Sequence, residues 1–149
     1  MKLIETPILF KIFINTTKEQ AFNAIATAKG LDQWFTTGSS INNMKPGGTL
    51  TLSWKNWGVD KITDRIECPI LEYDYPELFA FKWWPDHYTN VYFSFNEAEQ
   101  GIIVTVREEG YAKTDEGIRR CIDCSVGWGE ALTLMKVYLE HGISYNEKN

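Results

Sequence analysis

From residue 49 to residue 109, apolar side chains recur at every second position in one short run after another, and the pattern then changes to a single long helical stripe. That switch constrains the fold more than any other feature of the chain. Alternating runs describe strands with one covered and one wet face. TLTLSW groups Leu50, Leu52 and Trp54; LFAFKW groups Phe79, Phe81 and Trp83. VYFSF does the same for Val91, Phe93 and Phe95, and IIVTV for Ile102, Val104 and Val106. Turn signals separate these runs at Lys45-Pro46-Gly47-Gly48, Asn56-Trp57-Gly58, Tyr75-Pro76-Glu77 and Pro85-Asp86. A longer run over 60–75 carries Ile62, Ile66, Cys68 and Ile70 in one phase, and its Pro69 predicts an edge strand or a bulge.

The helical stripe begins near Asp115. Ile118, Cys121, Ile122, Ser125, Trp128, Leu132, Met135 and Leu139 recur at spacings of three and four, widened by Ala131, Leu134 and Tyr138. Gly142 suits a left-handed cap, with Lys136 and His141 near the negative end of the helix dipole. Gly127 and Gly129 each cost about 1 kcal/mol against Ala inside a helix, which predicts a close backbone approach or a bend. At the other end of the chain, ILFKIFI puts Ile8, Phe10, Ile12 and Ile14 on one face of a strand. Thr16 with Glu19 then matches a capping box, and Ala21, Phe22, Ile25 and Ala26 form a helical stripe that Gly30 interrupts. A second short helix is expected over 31–35. The order is a strand, two helices, about six antiparallel strands and one long helix. Residues 1–149 therefore read as one α+β domain, a strongly curved antiparallel sheet with the long helix across its concave face. In that packing every apolar face meets another.

Charge and composition narrow the function classes. Fifteen basic residues against 20 acidic ones give a net charge of -5, and Arg119-Arg120 is the densest basic pair. That is no footprint for nucleic-acid phosphates. No run approaches the ~18 apolar residues of a membrane span. Pro7 and Lys11 interrupt the N-terminal apolar run and no small-residue cleavage site follows it, so it reads as a strand and the cytoplasm is the expected location.

The groups that carry chemistry are few. Cys121-Ile-Asp-Cys124 has the spacing of a redox pair, but Cys121 falls on the core stripe and Asp123 would raise a thiol pKa. Two small buried side chains are the simpler reading. Cys68, His87 and His141 have no regular spacing with that pair, so no metal site is expected. His87 lies in WWPDHYT between two strands and reads as a turn histidine, since a general base needs a partner to orient its ring. Glu108 and Glu109 point to opposite faces and make no catalytic pair. Glu108 shares a phase with Val104 and Val106, and Asp64 with Ile62 and Ile66. Each is either an inward polar group that orients a ligand or a rim residue in contact with water. No catalytic triad, phosphate loop or dinucleotide fingerprint is present, and neither a cofactor nor a catalytic residue is assigned.

Over roughly residues 6–142 the sequence resembles a known family. The residues that carry the resemblance are the first strand and capped helix, Trp34-Phe35, Pro46-Gly47-Gly48, IECPILEYDYPELFAFKW, VREEGY and GWGEALTLMKVYLEHG. Their order and spacing are similar to the activator-of-heat-shock-protein-90-ATPase-like group of the START-related superfamily. The resemblance implies a helix-grip fold, six to seven strands wrapped around the C-terminal helix, with a cavity between helix and sheet. Members of the wider superfamily bind lipids, sterols, polyketides or plant hormones there, and a few are cyclases or hydroxylases. The eukaryotic namesake stimulates a chaperone ATPase by surface contact.

Aromatics make up 14% of the chain, with six Trp, seven Tyr and eight Phe. Trp34, Trp54, Phe81, Trp83, Phe93, Tyr111 and Trp128 are expected to point inward, with Leu132 and Met135 beside them. They make either a collapsed core or the walls of a pocket for a small apolar or aromatic molecule. Three expectations follow: a non-catalytic binding domain, a protein-interaction module serving a chaperone, or, more weakly, an enzyme using Glu108, Asp64 or His87. A monomer and a homodimer are both compatible with the sequence, an exposed edge at the first strand or around Pro69 serving the latter.

Overall fold

The computed structural model describes residues 2–83 and 89–145. The Pro85-Asp86 turn and His87 lie outside the described residues. Strand β1 (Ile8–Ile14) leads into helices α1 (Lys18–Ile25) and α2 (Ala28–Trp34). Six further strands follow: β2 (Ser40–Asn42), β3 (Thr49–Trp57), β4 (Ile62–Asp74), β5 (Leu78–Trp83), β6 (Thr89–Ala98) and β7 (Gly101–Glu109). Helix α3 (Asp115–His141) closes the chain. All neighbouring strands pair antiparallel, in the order β1-β7-β6-β5-β4-β3-β2. This is the helix-grip arrangement of a seven-stranded sheet, one long helix and two short ones.

Local chemistry explains the helix ends. Thr17, not Thr16, caps α1: its side chain accepts from the Gln20 amide, while the Thr16 hydroxyl donates to the Gln20 side chain. The capping pattern is thus shifted one residue along, from Thr16/Glu19 to Thr17/Gln20. Thr27 starts α2 in the same way, accepting from Gly30, so α2 begins three residues earlier than expected. Gly30 is needed inside it, because a Cβ there would collide with the Asn23 carbonyl and Ala24 of α1. Thr114 caps α3 and Gly142, at φ 69°, ends it in the left-handed conformation.

The alternating strand faces supply the core. Leu50, Leu52, Phe79, Phe81, Val91, Phe93, Ile102, Val104 and Val106 are all fully buried. Pro69 does not mark an edge: β4 lies between β3 and β5, and the pairing shifts register just after it, between Ile70 and Glu72. The edges of the sheet are β1 and β2.

Helix α3 departs from its sequence reading in two ways. Ile118 and Ile122, placed on the core stripe by spacing, are 43% and 59% exposed, whereas Trp128, Ala131, Leu132 and Met135 are buried. Gly127 and Gly129 mark no close backbone approach: a Cβ on Gly127 would meet nothing within 4 Å, and one on Gly129 only the Phe10 ring at 3.8 Å.

Candidate functional site

The first half of α3 does not close onto the sheet, and the space between holds a cavity of about 270 Å³. Its walls come from three parts of the fold. The sheet contributes Trp54, Trp57, Ile62, Asp64 and Trp83; the C-cap of α2 contributes Phe35; α3 contributes Asp123, Cys124, Gly127 and Trp128.

A β-bulge makes one wall. Trp54 pairs with Asp64 and Trp57 with Ile62, with a register shift between them and Asn56 at φ 55°. A strict alternation from Leu50, Leu52 and Trp54 would bring residue 56 inward. The extra bulged residue re-phases the strand, so that Trp57 is buried and Asn56 is exposed. Read as part of a turn, Trp57 was invisible to period-two reasoning.

The aromatic rings hold one another. Phe35 meets Trp54 edge-on at 5.4 Å and lies 5.7 Å from Trp128, and Trp83 meets Trp54 at 90° and 6.0 Å. Trp83 and Trp128 are 5.5 Å apart. Such contacts add about 0.5–1.5 kcal/mol per pair beyond area burial and pin the walls. Indole N–H groups are anchored as well: Trp54 donates to the Phe35 carbonyl at 2.6 Å, and Trp128 donates to Glu108 at 2.8 Å. Trp57 Nε1 is buried and has no acceptor among the described residues.

Glu108 lies behind Trp128 rather than at the cavity surface. It is fully buried on β7, with Trp128 Nε1 donating to one carboxylate oxygen and the Tyr111 hydroxyl to the other at 2.7 Å. Burial pushes its pKa up, and the hydrogen bonds from Trp128 and Tyr111 oppose that rise without cancelling it. No cation pairs with it among the described residues. Its geometric effect is to fix the plane of the Trp128 ring. Burial also drives the Tyr111 hydroxyl upward, reinforced by the charge of Glu108.

The sequence-derived residues thus separate into groups. Trp54, Trp83, Trp128 and Asp64 meet at the cavity, with Asp64 exposed at its rim. Trp34, Phe81, Phe93, Leu132 and Met135 sit in the packed core instead, and Trp34 donates to the Ala24 carbonyl. Tyr111 is buried against Glu108. Phe35, Trp57, Asp123, Cys124 and Gly127 were not singled out as wall residues; the Trp34-Phe35 pair was the only available signal. Phase tells which way a side chain points but not whether another side chain fills the space in front of it.

Burial and the charge of Glu108 raise the Cys121 thiol, the opposite of what a reactive thiolate needs, and burial alone pushes Cys68 to about 12. Among the described residues no three His, Cys, Asp or Glu side chains gather where a metal ion could be held. No helix among them is long and apolar enough to cross a membrane. A second depression of about 460 Å³, lined by Gln20, Asn23, Lys29 and Tyr138 among others, is more polar than the first and lies between α1, α2 and the end of α3.

This arrangement matches known structures. SSP2350 from Staphylococcus saprophyticus is 25% identical, with a TM-score of 0.77 over 93% of this chain and 95% of that one. The Aha1 dimer from Colwellia psychrerythraea is 20% identical, with a TM-score of 0.73 over 92% and 98%. BH1534 from Bacillus halodurans is 20% identical, with a TM-score of 0.75 over 94% and 100%. No curated protein matches the sequence. The family model described as activator of Hsp90 ATPase homolog 1-like protein matches residues 15–140, from the end of β1 almost to the end of α3, and the chain belongs to that family.

Proposed function

We propose that the protein binds a small apolar or aromatic molecule, without catalysis, in the cavity beneath the first half of α3. The observation that carries this reading is the wall itself: Phe35, Trp54, Trp57, Trp83 and Trp128 surround about 270 Å³ of space. That is close to the lower end of the ~300–1,000 Å³ common for ligand pockets. Burying an apolar body there is worth about 25 cal/mol per Å² before ordering costs. The rings are already fixed by their neighbours and by the Trp128–Glu108 hydrogen bond, so little ordering is left for the ligand to induce. Against an acid–base role for Glu108, both of its oxygens are occupied by Tyr111 and Trp128, and the indole separates it from the cavity.

The test combines native mass spectrometry of freshly purified protein with titration of N-phenyl-1-naphthylamine, an apolar fluorescent probe. A non-covalent mass lost on denaturation, or saturable probe binding, is expected. Both should disappear in Gly127→Leu, which places a side chain at the cavity where a Cβ meets no neighbour. Probe binding that survives both Gly127→Leu and Trp128→Ala unchanged would end the pocket reading.

A second reading, a co-chaperone surface, is favoured by the family match and by the exposed row Ile118, Ile122 and Val126 on α3. Stimulation of a purified Hsp90-type ATPase, lost in Ile122→Ser/Val126→Ser, would establish it; no binding at high concentration would remove it. Whether the chain pairs as the Colwellia protein does is read directly by light scattering.

A further inference from the structure

Among the described residues the charges that line the cavity are of one sign: its carboxylic acids are Asp64 on β4 and Asp123 on α3, and no described Lys or Arg lines it. Both carboxylates are exposed, and neither has an ion-pair partner among the described residues. The nearest cations in sequence are engaged elsewhere: Arg65 approaches Glu67 at 3.9 Å and Arg120 pairs with Glu116 at 3.2 Å. Lys61 and Arg119 are exposed and do not line the cavity. Asp64 accepts from the Arg65 backbone amide through one oxygen, which leaves the other for a ligand.

The walls complement that sign. Four indoles and one phenyl ring surround a single space, and the electron-rich face of an indole is the aromatic surface that attracts a cation most strongly. An anionic ligand would meet two like charges and no compensating base.

We infer that the ligand is an organic cation, an amine or quaternary ammonium carried on an apolar or aromatic body. The aromatic walls take the body, and Asp64 and Asp123 face the positive charge. This rests on the pocket reading above and sharpens it to one charge type.

A matched set of probes tests it on the intact chain: 2-phenoxyethyl-trimethylammonium, its neutral carbon isostere 3,3-dimethylbutyl phenyl ether, and anionic 4-phenoxybutyrate. All three keep the ring and the ether oxygen, and binding is followed by quenching of tryptophan fluorescence. The cation is expected to bind about tenfold tighter than the neutral ether, and the anion weakest of all. Raising salt from 50 to 500 mM should weaken only the cation. Asp64→Asn/Asp123→Asn, at two exposed positions that leave the core intact, should bring the cation down to the neutral ether's affinity. Equal binding of cation and neutral ether, unaffected by the double substitution, overturns the charge assignment and leaves the pocket standing. No saturable binding of any probe to wild type, with no difference in Gly127→Leu, overturns both.

Discussion

The two halves of α3 carry the same apolar periodicity and meet opposite fates. In residues 128–141, Trp128, Ala131, Leu132 and Met135 are between 0% and 3% exposed. In residues 115–127, Ile118, Ile122 and Val126 are 43%, 59% and 70% exposed, and only Gly117 is fully buried. Ile118 and Ile122 sit one position on from Gly117 and Cys121, about 100° around the helix. The second half lies against β1, α1 and α2 and completes the core; the first half roofs a cavity walled by β3, β4 and β5. The lesson is that periodicity orients a helix, while its stability is decided by what reaches it.

That contrast can be broken most forcefully in the second half. Leu132→Ala should cost about 2–5 kcal/mol in urea unfolding, because a fully buried side chain is replaced by a hole its neighbours only partly fill. A cost below 1 kcal/mol would mean that this half is not the packed one.

Glu108, at the junction between the halves, gives the next effect through pH. Its folded pKa is raised above the ordinary 4.5, so the folded protein keeps a proton that the unfolded chain has released. Its contribution is therefore fully present below about 4.5 and is lost as pH climbs through the folded value. Stability of the wild type should fall over that window, and Glu108→Gln should flatten the fall. Parallel pH profiles in wild type and variant would show that Glu108 carries none of it.

Smaller effects are expected in the first half. Gly127→Ala should raise stability by up to about 1 kcal/mol, since the added methyl meets nothing and the helix loses a flexible residue. A loss in that variant would indicate a close contact at the cavity mouth. Ile122→Ser should change stability by no more than about 0.5 kcal/mol, against several for an equivalent change at Leu132. A large loss there would mean that the row is covered in solution.

Much of the scaffold was legible before any coordinates. The strand phases of TLTLSW, LFAFKW, VYFSF and IIVTV follow from alternation, since a period of two leaves a side chain only two directions. The long helix and its Gly142 cap follow from spacing and from the cost of a left-handed residue with a side chain. The inward direction of Trp54, Trp83 and Trp128 was readable from the same periodicities, whereas the phase of Glu108 left a buried and a rim position both open, and the structure buries it.

What the chain's order of residues determined by itself was therefore the element sequence, the strand faces and the acidic, aromatic-rich character. Each is set by local sterics and by composition. Only the tertiary structure decided that Trp34, Phe81 and Phe93 fill the core while Trp54, Trp83 and Trp128 border an empty space. It also decided that a bulge turns Trp57 inward and that Glu108 ties Trp128 from behind. Depth, register slips and distant hydrogen bonds depend on which surfaces arrive from elsewhere in the chain, and no local pattern encodes those meetings.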